Sequence, residues 1–528
     1  MTSRRRTTLS AILLTGTLLA AGCTDVKAPT GPADPPAKET PAPAPALVRP
    51  PAAPTTVAAG RTPGQVAAAV SRTLFASAPA AVVALATDPA AVSTGAAEAE
   101  RRGVPMLLDD GPATHPAAPG GGTGTPSAAP DDTAATATEL AEVRRLNPGT
   151  VLALGAGVAD RLGSSGATVV SDAARLPEVG RPEPMNGTVV LVDSAVHATA
   201  AAATATGRAA GAQVVAIAGT DPRADHTAIA ALAEAKPRHV IAAGVEFGPA
   251  GLLAARVATA ATGVQLPGGG QVVLPGRRLV AMYGHPGTPA LGVLGEQPLP
   301  QAIARAKRLA APYRALSGAT PVVPTFELIA TVAQANPGVG GDYSFEAPIS
   351  LLEPWVLQAG RAGMYVVLDL QPGRSNFLDQ AKLYEPLLRL PYVGLALDPE
   401  WRLRPNQVPL TEIGSAQASE INSVYRWLAD LTDSLRLPQK LFVIHQFRLS
   451  MIGDDEPLEY DRDSVQLLIH MDGQGTTGNK DQTWAAVVGA APKGVPFGWK
   501  NFYDEDTPML TPGQTMSRKP TPSMISYQ

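Results

Sequence analysis

The stretch VGLALDPE at 393–400, followed by Trp401, is where the chain concentrates groups that could do chemistry. Side chains alternate along a strand, so Glu400, Asp398, Ala396 and Gly394 share one face while Leu397, Leu395 and Val393 share the other. Two carboxylates then stand above small residues, with bulky aliphatics behind them to meet a layer of helices. That is the pattern of a barrel strand, and carboxylates at its C-terminal end read as site residues. A protonated carboxyl can hand a proton to a leaving oxygen while an ionised one faces developing positive charge, which is the chemistry of glycoside hydrolysis. Glu400 is the expected acid, with Asp398 beside it. Asp369, in MYVVLDLQ on the neighbouring strand and about 5 Å away laterally, is a further candidate for the second carboxylate.

Other polar residues end similar apolar runs. The candidate strands are RLVAMYGH, PVVPTFE, MYVVLDLQ, VGLALDPE, KLFVIHQF, VQLLIHMD, VPFGWKNFY and MISYQ. Eight strands with intervening helices, in roughly 250 residues, predict a (β/α)8 barrel over 277–528. The chain stops on the eighth strand, so the closing helix is expected to be missing or to come from an earlier segment such as 249–262. Substrate-binding groups expected at the strand ends are His285, Glu327 (on one face with Thr325), Gln371, His445, Gln446, His470, Asp472 and Lys500. Trp401 and Trp499 are candidates for stacking on pyranose rings, whereas Trp355 and Trp427 sit at helical core positions. No H-E-x-x-H or C-x-x-C spacing occurs, so the histidines read as hydrogen-bonding groups and neither a metal nor a cofactor is expected. A G-x-S-x-G elbow is also absent from the sequence.

The fourth strand resembles that of the family-18 chitinases, which carry Asp-x-x-Asp-x-Asp-x-Glu with Gly after the first Asp. Gly394, Leu395, Leu397, Asp398 and Glu400 match, and Val393 and Ala396 occupy the first two Asp positions. The resemblance implies that Glu400 is the acid and that Asp398 orients an acetamido group of the substrate, which acts as nucleophile in that family. Loss of the two outer acids keeps a second expectation alongside it: a barrel that binds a glycan without cutting it.

Between 63 and 270 the chain repeats itself. One unit runs AVVALATD, GVPMLLDDG and NPGTVLALGAGV; the other runs GTVVLVDS, GAQVVAIAG and KPRHVIAAGVEF, with Ala-rich helical stretches between. Both read strand, helix, strand, helix, strand, which predicts α/β units with parallel sheets covered on both faces. A Gly/Pro/Ser/Thr-rich insertion at 112–132 reads as a surface loop. Gly155-Ala156-Gly157 lacks the third glycine of a dinucleotide fingerprint. The order of strands, with Gly103-Val104-Pro105-Met106-Leu107-Leu108 and the strand ending LALGAGV, resembles the cell-wall-binding repeat 2 family of Gram-positive surface proteins. Of the polar residues that family carries after its first strand, Asp88, Asp193 and Ser194 remain.

Arg4 to Arg6, an apolar run at 11–20 and Ala20-Ala21-Gly22-Cys23 look like a bacterial lipoprotein signal over 1–23, with Cys23 as the lipidated residue. A run of ten apolar residues is short of the about 20 that span a bilayer. Residues 24–62, rich in Pro and Ala, read as an extended tether, placing the folded part in the cell-wall zone on the outer side of the cytoplasmic membrane. Cys23 is the only cysteine, so disulfides contribute nothing. A net charge of -4 supplies no basic field, which argues against nucleic acid. The expected partners are a membrane, through the lipid at Cys23, and a cell-wall polysaccharide or another glycan.

Overall fold

A computed structural model describes residues 44–112 and 139–528. The expected signal segment with Cys23, most of the tether and nearly all of the insertion lie outside these residues. The tether is shorter than expected, because its C-terminal part is folded. Strands β1 (Leu47–Val48) and β2 (Thr55–Ala58) fall within 24–62, and β2 pairs in parallel with β10 (His239–Ala243). Thr55, Thr56 and Val57 are β-branched, which suits an edge strand between prolines.

Both repeats form the expected α/β units. After α1 (Pro63–Leu74) and β3 (Phe75–Ser77) come β4 (Ala80–Leu85), α2 (Pro89–Arg102), β5 (Met106–Asp109), α3 (Glu139–Leu146), β6 (Thr150–Leu154), α4 (Val158–Arg161) and β7 (Thr168–Val170). The second unit comprises β8 (Thr188–Asp193), α5 (His197–Ala209), β9 (Gln213–Ile217), α6 (His226–Ala235), β10 and α7 (Ala250–Ala260). Their parallel sheets have the orders β5-β4-β6-β7 and β9-β8-β10-β2. The fourth strand of the second sheet therefore comes from the chain ahead of the first unit. That exchange is locked by a shared core in which Val66, Val70 and Leu74 of α1 meet Val83 and Leu107 of one sheet and Val190, Val192 and Ile241 of the other. Alanine-rich α5 is buried on both sides, and Thr206 on it bonds the backbone N–H and C=O of Met106 (3.1 and 3.0 Å).

The remaining chain closes a parallel barrel of eight strands. In chain order these elements are β11 (Arg278–Gly284), α8 (Leu299–Arg314), β12 (Val322–Ala333), β13 (Ser344–Glu346), α9 (Ile349–Arg361), β14 (Tyr365–Leu370), α10 (Phe377–Leu383), α11 (Glu385–Leu388), β15 (Val393–Leu397), α12 (Ala418–Ser434), β16 (Lys440–His445), β17 (Val465–Met471), α13 (Thr477–Ala490), β18 (Phe497–Asn501), α14 (Pro512–Met516) and β19 (Met524–Tyr527). β11 pairs with both β12 and β19, which closes the ring, and β13 forms a hairpin on the long β12. All eight expected barrel strands are present.

The expected substitute for the closing helix is overturned. Leu253 and Val257 of α7 pack with Val189 and Val240, inside the second α/β unit. Instead α8 covers two strands, with Ala310 and Tyr313 packed on Val280 of β11 and on Ile525 and Tyr527 of β19. The connection from β16 to β17 has no α-helix; it is pinned along α12 by Asn422 to Glu456 (2.7 Å) and by the Arg462 N–H to the Tyr425 hydroxyl (2.8 Å). Leu266, Val273 and Leu274 from the linker plug the N-terminal end of the barrel, against Leu279, Val323, Leu441 and Met524. Asp463 then receives Arg223 (2.7 Å) and Arg256 (2.8 Å) from the second α/β unit.

Candidate active site

The alternation read from VGLAL holds. Val393, Leu395 and Leu397 lie in the core beneath the helices, while Ala396 lies in the barrel interior. Gly394 has no room for a side chain, because a Cβ there would sit 2.7 Å from the Leu441 carbonyl oxygen and 3.1 Å from the Tyr365 hydroxyl. The strand ends at Leu397, however, and Pro399–Trp401 turn as a 3-10 helix. Glu400 reaches the barrel mouth from that turn and not as the next strand position, since Pro399 removes an N–H that the ladder needs. The Gly414 N–H holds the turn by bonding the Glu400 carbonyl oxygen (2.6 Å), and Arg402 pairs with Glu420 (2.9 Å).

Around this turn the mouth gathers groups from all eight strands. Asp398, Glu400 and Asp472 each place a carboxylate oxygen within 4.8 Å of the others. His445 lies between two acids, with Nε2 3.0 Å from Glu327 and Nδ1 3.2 Å from Asp472. The Tyr283 hydroxyl donates to Asp369 (2.7 Å) and accepts from Gln371 Nε2 (3.1 Å). Lys500 Nζ lies 3.5 Å from the centre of the Tyr283 ring. His470 shares a hydrogen bond with Ser526 (3.1 Å). Glu327, Asp369, His445 and His470 are fully buried.

Burial and mutual charge push these groups apart in their proton affinity. Burial, then the charge of Asp472, raises the Glu400 carboxyl to about 7. Asp398 rises well above the carboxylate range through burial and the neighbouring Glu400. Burial also raises Asp369, to about 6. Asp472 moves the other way: burial opposes ionisation, but the bond and charge of His445 outweigh it. Burial disfavours the imidazolium of His445, yet bonds to Asp472 and Glu327 hold it well above its usual value. His470 is driven far down by burial and by the His445 charge, so it stays neutral.

Not every expected site residue joins the cluster. Trp499 is the neighbour of Lys500 in one strand, and only one of two neighbours can face the interior. Its indole is fully buried, 5.5 Å from Trp484 on α13, and donates to Asn501 (3.0 Å), so it offers no face to a sugar ring. Trp401 is half-buried on the turn beside Glu400. His285 follows β11, where Nδ1 takes the Gly287 N–H of its own loop (2.9 Å). Gln446 contributes its backbone N–H to the His470 carbonyl oxygen (2.9 Å).

The structure adds residues that the sequence reading passed over. Tyr283 was legible in principle, because Leu279, Ala281 and Tyr283 share the inward parity of β11. Lys480 carried no such signal. It is buried on α13, donates to the Lys500 carbonyl oxygen (2.8 Å) and pairs with Asp506, whose other oxygen accepts the Gly475 N–H (3.1 Å). This ion pair ties the loop after β17, which begins with Asp472, to the loop after β18.

Compared with protein-family models and with curated proteins, the chain has no match. Among solved structures, Cwp6 from Clostridium difficile is similar over 66% of this chain and 63% of its own, with 11% identity and a TM-score of 0.28. This chain thus spans less than two thirds of that protein's length, and a likeness of this size assigns neither an activity nor a partner. Among the described residues, no helix is long and apolar enough to cross a membrane.

Proposed function

We propose that the barrel hydrolyses glycosidic bonds of a cell-envelope or environmental polysaccharide, and that a lipid on Cys23 holds the protein at the outer side of the cytoplasmic membrane. The observation behind the hydrolytic reading is the pairing of Glu400 with Asp472. Their oxygens lie within 4.8 Å, and their surroundings favour opposite protonation states, one raised to about 7 and the other lowered. Pairs of acids split in this way mark acid and anion. Glu400 gives its proton to the glycosidic oxygen as the C1–O bond breaks, and Asp472 Oδ1 bonds to C1. Water then attacks C1, returns a proton to Glu400 and frees Asp472. The close spacing belongs to retention of anomeric configuration, for which the two carboxyls stand about 5–5.5 Å apart. Asp472 thus takes the role expected of Asp369, whose Oδ2 accepts from Tyr283 and whose carboxyl is raised where that of Asp472 is lowered.

The full chain incubated with chitin oligomers, peptidoglycan and other bacterial polysaccharides should release new reducing ends. Asp472→Asn should lose as much rate as Glu400→Gln, and Asp369→Asn less. Equal losses at Asp369 and Asp472 would remove the assignment. One observation favours a second reading, a barrel that binds glycan without cutting: Asp398 and Asp472 are only 2% and 6% exposed. Binding without products would establish that reading. For the anchor, Cys23→Ser should move the protein from the membrane fraction to the medium or leave it unprocessed, and unchanged retention and processing would exclude lipidation.

A further inference from the structure

We propose that the sugar held in the barrel mouth carries a free ammonium group, so that the substrate class is a glycan of de-N-acetylated hexosamine. This deepens the hydrolytic reading and rests on it for the placement of the sugar.

The mouth holds five carboxyl groups, those of Glu327, Asp369, Asp398, Glu400 and Asp472, but its two cations already have partners. His445 lies between Glu327 and Asp472, and Lys500 lies on the Tyr283 ring. Among the described residues no donor reaches Glu327 Oε2, Asp369 Oδ1, Asp398 Oδ1 or Asp472 Oδ1, and all four side chains are more than nine-tenths buried. A buried acceptor without a donor has given up its hydration with nothing in return, and the loss is larger when it is charged. A ligand that brings several N–H donors and a positive charge removes that cost, and an ammonium brings three donors.

The geometry suits such a group. Charge-assisted N–H···O contacts are about 2.8 Å long, so three acceptors spread evenly around one nitrogen lie at most about 4.8 Å apart. Asp398, Glu400 and Asp472 meet that limit with one oxygen each, which leaves the second oxygen of Glu400 for its proton. An acetamido group would bring one N–H and a carbonyl oxygen facing the same carboxylates, and a hydroxyl would bring one neutral donor.

The test is titration calorimetry of the full chain bearing Glu400→Gln with the hexamers of glucosamine, N-acetylglucosamine and glucose. The glucosamine hexamer should bind about tenfold tighter than either of the others, the equivalent of about 1.4 kcal/mol. Asp398→Asn added to that variant should erase the preference, and raised salt should weaken it. Equal affinities, a preference for the acetylated hexamer, or a calcium ion taken up by these carboxylates in place of the amine would overturn the proposal. Since binding is read on a variant lacking the acid, it is independent of turnover. Selective binding with no reducing ends from wild type leaves the ligand class standing and removes hydrolysis. Products from the acetylated hexamer without an amine preference do the reverse.

Discussion

The α/β repeats and the barrel share one building plan, parallel strands followed by helices, but they use the polar residues at their strand ends in opposite ways. In the repeats these residues satisfy the protein's own backbone. Asp88 caps α2 by accepting the N–H groups of Ala90 and Ala91 (3.0 and 3.1 Å), Asp193 accepts those of Ala195 and Gly219 (both 3.0 Å), and the Ser194 hydroxyl donates to the Ile217 carbonyl oxygen (2.9 Å). In the barrel the strand-end groups face one another, and among the described residues no donor reaches four of their carboxylate oxygens. An acid that closes a turn is consumed by the fold. An acid held against other acids stores unfavourable energy that a ligand can release, which is why the barrel mouth and not the repeats is the candidate for chemistry.

Substitutions can break this contrast. The largest effect is expected at Glu400→Gln, which should lower any hydrolytic rate by at least about a hundredfold, the low end for losing a general acid, with little change in melting temperature. Asp193→Asn, at the equivalent place in a repeat, should leave the same rate unchanged; a comparable loss there would show that the two regions are not distinct in use. The pH profile sharpens the point. Glu400 must be protonated, so the rate on a neutral glycan should fall as pH rises through about 7, and this alkaline limb should be absent from binding of the neutral glucose hexamer by Glu400→Gln.

Stability provides the smaller tests. Gly394→Ala forces a methyl against the Leu441 carbonyl oxygen and the Tyr365 hydroxyl, and should destabilise by about 1–3 kcal/mol in chemical denaturation. Asp88→Ala removes an N-cap and should cost about 1 kcal/mol, without affecting turnover. Lys440 gives a subtler effect. Among the described residues its buried amine is paired only with the carbonyl oxygens of Leu390 and Val393 (2.9 and 2.8 Å), and burial lowers it from 10.5 to about 7. Between those values the unfolded chain binds more protons than the folded one, so this group's contribution to stability rises with pH. Wild type should therefore gain in melting temperature relative to Lys440→Met from pH 7 to 9, and a constant difference would show that the amine does not titrate there.

Most of the strand order was legible because strands with both faces covered are short apolar runs, and all eight barrel strands and both repeats were found from that pattern alone. Parity also placed Asp398, Glu327, Asp369 and His470 correctly, since alternation is a local property of extended backbone. Parity failed where the backbone left the strand. Glu400 arrives through a 3-10 turn; Trp499 stays on its strand, where parity itself turns it away from the mouth that Lys500 faces.

The sequence by itself determined which segments are strands and helices and which carboxylates end the barrel strands, because these follow from periodicity and residue type within a few neighbours. Only the tertiary structure decided which of those groups meet. The placing of β2 in the second sheet, the cover of β19 by α8 and the contact of His445 with Glu327 all join residues more than a hundred positions apart. The split between a protonated Glu400 and an ionised Asp472 belongs to the same class. It arises from shared burial and from a histidine on the intervening strand, and the Coulomb interactions that create it depend on distances that exist only once the barrel has closed.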